Sequence, residues 1–162
     1  MTIAVRLADY SDPQDAAAVV HLLDLYARDP MGGGEALAVE TREVLIARLQ
    51  QQPTVFSLLA LVDGEPKGLM NCVWGFSTFV AKPLINVHDL VVAPDARGLG
   101  LGKALFSEVE AIAARRGACK VTLEVLSGNE PAKALYASLG YGDYALDPDK
   151  GTALFWEKKI AA

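Results

Sequence analysis

The sequence predicts an α/β fold, a mixed β-sheet covered by helices. Three observations carry this reading. Stretches with apolar residues at helical spacing alternate with apolar runs of strand length. Glycine, proline and aspartate clusters punctuate them. Strand-like runs joined by short turns near both ends of that alternation add antiparallel pairs to the parallel ones that helical crossovers imply. A chain of 162 residues fits one domain, residues 1–162, with room for a substantial core.

The elements follow in order. Ser11-Asp12-Pro13-Gln14 starts a helix, with Ser11 or Asp12 as its cap and Pro13 where a missing N–H costs nothing. Ala16, Val19, Val20, Leu23 and Tyr26 then mark one buried face as far as about Arg28. Met31-Gly32-Gly33-Gly34 interrupts the chain, and a second helix is expected from Ala36 to Gln50, stopped by Pro53. Val55–Val62 has strand length, and Asp63-Gly64-Glu65-Pro66 turns it back into Lys67–Phe76 as a hairpin. Ser77–Pro83 reads as a loop, and Asn86–Val92 as a further strand ended by Ala93-Pro94-Asp95. Gly100–Arg116 is helical through Ala104, Leu105, Val109 and Ile112. Val121–Leu126 is a strand, and Pro131–Leu139 a short helix capped by Gly140. Tyr141–Ala145 and Thr152–Glu157 are expected to form a last hairpin around Asp147-Pro148-Asp149-Lys150-Gly151.

Composition excludes several classes. With 52% hydrophobic and 22% charged residues the chain is globular rather than disordered. No apolar run approaches the roughly 20 residues of a membrane span. The start of the chain, MTIAVRLADYSDPQD, turns acidic too soon for a secretory leader, so a cytoplasmic protein without a membrane partner is expected. A net charge of −5 leaves no general basic footprint for nucleic acid. Cys72 and Cys119 are far apart and lack a Cys/His cluster, so neither a disulfide framework nor a metal site is expected. Both read as small buried hydrophobes.

The densest chemistry lies in Val91-Val92-Ala93-Pro94-Asp95-Ala96-Arg97-Gly98-Leu99-Gly100-Leu101-Gly102-Lys103. A strand ends, a glycine-rich turn follows and a helix begins. Glycines let backbone N–H groups converge at the positive end of the helix dipole, where a pyrophosphate binds well. Arg97 and Lys103 add charged donors. A Walker loop is excluded because Ala104 follows Lys103 where a hydroxyl is required. A dinucleotide fingerprint is disfavoured by the Gly98-x-Gly100-x-Gly102 spacing, which falls late in the chain. ATP-dependent phosphotransfer is disfavoured with them.

Arg97-x-x-Gly100-x-Gly102 resembles the R/Q-x-x-G-x-G/A signature of the GNAT N-acetyltransferases. Asn129-Glu130-Pro131-Ala132-Lys133-Ala134-Leu135-Tyr136, with Leu139-Gly140-Tyr141, looks like that family's N-x-x-A-x-x-L-Y…L-G-F/Y segment. The order of elements from about Val5 to Glu157 is similar to the family's as well. The resemblance implies a sheet splayed between the strands at Asn86–Val92 and Val121–Leu126, with acetyl-CoA as co-substrate in the wedge. It also implies that the backbone of Leu90, Val91 and Val92 pairs with the pantetheine arm. Arg97, Gly98, Leu99, Gly100, Leu101, Gly102 and Lys103 would hold the pyrophosphate. Asn129 would meet the pantetheine, and Ala132, Lys133 and Tyr136 would border the co-substrate. The segments Gly75-Phe76, Asn86-Val87-His88-Asp89-Leu90 and Asn129-Glu130-Pro131 resemble the spermidine/spermine and thialysine branch, which carries a Glu-Asp pair where this chain has His88-Asp89. Homodimers are common in the family, so one is expected.

The implied reaction moves an acetyl group directly onto a primary amine of a small, polyamine- or amino-acid-like molecule. An alkylammonium of pKa about 10.4 is only about one part in two to three thousand neutral at pH 7, so a nearby base helps. His88 is the candidate, with a structural histidine as the other reading. Plain strand alternation places Asn86, His88 and Leu90 on one face, and Val87, Asp89 and Val91 on the other. Tyr136 is the candidate donor to the departing thiolate, with packing as its other reading. No serine or cysteine has a visible base and orienting partner, so no acyl-enzyme is expected. Trp74, Phe76, Phe79 and Tyr26 are open between acceptor pocket and core. Asp24, Asp29, Glu35 and Glu40 read as a solvated acidic face, with attraction of a cationic acceptor as the other reading, and His21 as a surface residue. The competing class is a CoA-binding sensor or interaction module without turnover.

Overall fold

The computed structural model describes residues 1–160. They fall into two compact units, one running to Leu123 and the other starting at Glu124. The first holds β1 (Ile3–Leu7), α1 (Pro13–Arg28), α2 (Val39–Leu49), β2 (Val55–Val62), β3 (Glu65–Ser77), β4 (Lys82–Val92), α3 (Leu101–Arg115) and β5 (Val121–Leu123). The second holds α4 (Glu130–Ser138).

α1 begins as its sequence dictates. The Asp12 carboxylate accepts the N–H groups of Gln14 and Asp15 at 2.7 and 3.1 Å, and Pro13 sits in the first turn. α2 starts later than Ala36 because Asp24 of α1 takes the Leu37 N–H at 2.8 Å, fixing that residue outside the helix. β1 is not among the expected strands. It pairs antiparallel with β2, from Ile3 opposite Val62 to Leu7 opposite Leu58.

The strands lie in the order β1-β2-β3-β4-β5. All neighbours are antiparallel except β4 and β5, so the sheet is mixed as predicted. The β3–β4 hairpin is longer than expected. Phe76 and Ser77 pair with Pro83 and Lys82, drawing both ends of the expected loop into the ladder.

Cross-strand partners share a face, so the register assigns each side chain to one side. Leu59, Leu69 and Val91 pack with Val19 and Leu22 of α1 on one face. On the other, α3 buries Leu101, Leu105, Phe106 and Val109. Gly68 makes the α3 contact close: a Cβ there would stand 3.4 Å from Leu105 Cδ1 and 3.5 Å from Leu101 Cδ2.

Two expectations fail near the end of the chain. The strand expected to Leu126 stops at Leu123. The last hairpin is absent: Pro148–Lys150 forms a 3₁₀ turn, and residues 141–147 and 151–157 contain no strand. The Ala153 N–H donates to Tyr144 O at 3.2 Å, from one segment to the other. Two strands by themselves gain too little burial to offset their ordering, and Leu146, Leu154, Phe155 and Trp156 are indeed exposed. Among the described residues no helix is long and apolar enough to cross a membrane.

Candidate active site

β4 organises the site in the first unit. It pairs along its length with β3, but with β5 only at Ile85, Asn86 and Val87. From His88 to Val92 the β5-side edge therefore has no strand partner among the described residues. An open edge of this kind offers backbone N–H and C=O groups to an extended amide-bearing ligand. Leu90, Val91 and Val92, the residues expected to pair with pantetheine, form that edge.

The edge runs directly into the glycine-rich loop expected to hold a pyrophosphate. After the 3₁₀ turn Pro94–Ala96, Gly98 and Gly100 adopt φ of +80° and +90°. Such values are costly for residues with a Cβ, and no atom lies within 4 Å of where one would stand. Gly100 is the N-cap of α3 and offers no side-chain acceptor to the first turn. The N–H groups ahead of the Ala104-to-Gly100 bond are thus left for an anion. Gly102 lies inside α3 without a positive φ. Leu99 and Lys103 are exposed, and Leu101 is buried, anchoring the loop from below.

Arg97 is exposed and occupied. Its Nη2 donates to Asp29 Oδ2 at 3.2 Å, tying the loop to the end of α1. Lys67 holds Asp95 at 2.8 Å and so braces the preceding 3₁₀ turn. That contact raises the Lys67 pKa and lowers that of Asp95.

His88 stands at a β-bulge, which overturns the face assignment drawn from plain alternation. Asn71 opposes Asp89 while Cys72 opposes Val87, so His88 is the extra residue. Asn86, Asp89 and Val91 consequently share the α1 face, and Ile85, Val87 and Leu90 the α3 face. The exposed His88 ring meets Asn86 Oδ1 through Nδ1 at 2.7 Å. Asn86 Nδ2 donates to Thr122 Oγ1 at 3.0 Å, which leaves Oδ1 as the acceptor. The Nδ1 atom must then carry the proton, and a neutral ring has its lone pair at Nε2.

In the second unit, Asn129, Ala132, Lys133 and Tyr136 come together on or beside α4. Asn129 caps the helix, Oδ1 accepting the Ala132 N–H at 3.3 Å. Lys133 Nζ donates to Ser127 O at 3.1 Å and to Glu130 at 2.9 Å. Tyr136 is half-buried, so the ring is not simply part of a sealed core.

Other candidates sort themselves. Trp74 is engaged: its ring centroid lies 5.8 Å from that of Phe56, and the Arg116 guanidinium stands 4.8 Å above it. Phe76 and Phe79 are exposed near the hairpin tip. Tyr26 is half-buried, and burial, then the charges of Asp89 and Asp29, push its phenol pKa up. Cys72 is buried, and its thiol is pushed up to about 12 by burial and then by Asp89, so it stays a thiol at neutral pH. Cys119 is exposed, against expectation, because it follows α3 in the connection to β5 rather than lying in a strand. His21 is exposed and lines a separate groove of about 420 Å³ between α1 and α2, with Asp24, Arg42 and Ile46.

The chain matches the family model described as Acetyltransferase (GNAT) family over residues 19–141. It is 32% identical over 127 residues to the uncharacterized N-acetyltransferase YhfO of Bacillus subtilis, covering 78% of this chain and 83% of that one. It is 29% identical over 103 residues to a thialysine N-epsilon-acetyltransferase of Caenorhabditis elegans, covering 64% and 63%. In fold it is similar to a possible acetyltransferase from Clostridium difficile 630, with a TM-score of 0.80 at 17% identity over the full length of both. The glycine-rich loop, the open β4 edge and the α4 segment all lie within the matched residues. The chain belongs to the GNAT family of acetyltransferases.

Proposed function

We propose that this acetyltransferase moves the acetyl group of acetyl-CoA onto a primary amine of a small polyamine- or amino-acid-like molecule, by direct attack with both substrates bound. The observation that carries the reading is the open β4 edge leading into two left-handed glycines and an uncapped helix. That arrangement suits an amide-bearing arm followed by a pyrophosphate. Bound acetyl-CoA supplies an activated acyl group. Leu90–Val92 hold its arm, and the N–H groups of Gly98–Lys103 hold its phosphates, with Arg97 exchanging Asp29 for phosphate.

His88 takes the amine's proton at Nε2, with Asn86 fixing the tautomer. Tyr136 donates a hydrogen bond to the departing sulfur, a role resting on the resemblance of its segment to the family's. Likeness to the thialysine enzyme supports a small cationic acceptor. The chain works as a homodimer on this reading, which sedimentation velocity tests.

Thiol release from acetyl-CoA across a panel of spermidine, thialysine, lysine, an aminoglycoside and short peptides tests the transfer. Release with one amine class is expected. Tyr136→Phe should lower kcat by about ten- to a hundredfold and His88→Ala by about tenfold or more. Bound acetyl-CoA with no amine-dependent release across these and a wider metabolite screen would favour a binding module instead.

A further inference from the structure

The groove between α1 and α2 carries a cation that no described side chain pairs with. Its volume of about 420 Å³ is within the roughly 300–1,000 Å³ usual for small-ligand sites. Ala16 and Ala17 of α1 leave it room, Val20 and Ile46 give it apolar walls, and Arg42 stands on its α2 side.

Arg42 is half-buried and forms no ion pair among the described residues. Its Nε is sealed from solvent and has no acceptor among them either. A buried donor left unpaired is costly, more so when it belongs to a charged group. α2 supplies no counter-charge at helical spacing, because Ala38, Val39, Leu45 and Ile46 stand three and four residues away. Arg42 is also the fourth residue of a helix whose N-cap, Ala38, offers no side-chain acceptor, so the positive end of the helix dipole opposes it. Glu40, the acid of that first turn, is exposed and does not line the groove.

The acid that does line it, Asp24, is already engaged. Its Oδ2 accepts from Arg28 Nε at 2.8 Å, and its Oδ1 from the Leu37 N–H at 2.8 Å. The Arg28 hydrogen bond comes first among the causes holding the Asp24 pKa below the usual carboxylate value, and the charge of Arg42 comes last. An anion suits the remaining charge. The terminal N–H groups of a guanidinium match a planar carboxylate in a two-point contact. On the α1 side the His21 ring donates from one nitrogen in either tautomer. A phosphate dianion would meet only one unpaired cation here, whereas a monocarboxylate needs no more than that and can lay an apolar chain along the walls.

We propose that the α1–α2 groove binds a small monocarboxylate, its head on Arg42 and His21 and its short apolar chain on Val20 and Ile46. No residue of the groove is among those assigned above to acetyl-CoA or to proton transfer, so the site stands apart from that reaction.

Amide chemical-shift titration by NMR, in the presence of CoA, tests it with 3-methylbutanoate, 3-methylbutanamide and inorganic phosphate at neutral pH. The carboxylate should bind with a Kd of about 0.1–1 mM and the amide, nearly equal in shape, about tenfold or more weakly. The shifts should centre on α1 and α2. Arg42→Gln should weaken the carboxylate about tenfold or more. Ala17→Leu, at an exposed helical position, should weaken it about threefold or more by filling the groove with Arg42 left in place, and gives a second test should Arg42→Gln not fold. No binding by about 10 mM, an amide that binds as tightly, or phosphate that binds more tightly overturns the proposal. So does a carboxylate affinity unchanged by Arg42→Gln or by Ala17→Leu.

Discussion

Gly100→Val should weaken CoA binding about a thousandfold, measured as Kd by titration calorimetry, while leaving the melting midpoint nearly unchanged. The expectation rests on conformation, since Gly100 holds φ of +90° with nothing near the position of a Cβ. A β-branched residue is strained there by more than about 1–2 kcal/mol, so the loop relaxes toward negative φ. That rotation turns away the N–H groups at the start of α3. Losing two charge-assisted hydrogen bonds at about 1.5–3 kcal/mol each gives about 3–6 kcal/mol, a factor of about 150 to 25,000 with a thousandfold inside that range. The loop is exposed, so the fold survives. A Kd within about threefold of wild type would show that CoA phosphates are held elsewhere.

The largest stability effect is expected from Asp15→Ala. The Asp15 side chain is only 4% exposed and accepts both ends of the Arg6 guanidinium, at 2.5 and 2.7 Å, together with the Asp9 N–H at 2.8 Å. These bonds tie β1 to the start of α1. Removing the carboxylate strands a guanidinium and a backbone donor. Arg6 is half-exposed and recovers some hydration, so the cost is about 2–4 kcal/mol, or about 5–15 °C in Tm.

The pH dependence has a definite sign. The Arg6 hydrogen bonds hold the Asp15 pKa below its ordinary 3.8, against the opposing effect of burial. The contribution is therefore fully present above about pH 4–5 and is lost as pH falls through the depressed folded value. Denaturant midpoints of wild type and variant should converge in acid and run parallel from about pH 5 upward. A gap that stays constant into strong acid would mean that Asp15 acts through packing alone.

How much of this was legible beforehand differs from element to element. Asp12-Pro13 announced the start of α1, and Arg97-x-x-Gly100-x-Gly102 announced a glycine-rich strand–turn–helix. Both are local chemistry, a cap and a set of φ values, carried by adjacent residues. The Asn129–Tyr141 segment likewise showed its helix and its family. The last hairpin misled because alternation within a segment cannot report whether a third strand is there to support it. The sharing of one face by Asn86 and Asp89 was missed for a related reason. It follows from a bulge at His88, and a bulge is a property of two strands in register, not of either one alone.

The sequence by itself determined the fold class, the glycine-rich strand–turn–helix and the family, since each is written in residues close together along the chain. Only the tertiary structure decided which edge of β4 stays open, which tautomer Asn86 imposes on His88, and that His21, Asp24 and Arg42 line one groove. Each depends on residues far apart along the chain, and only the pairing of strands and the packing of α1 beside α2 bring them together.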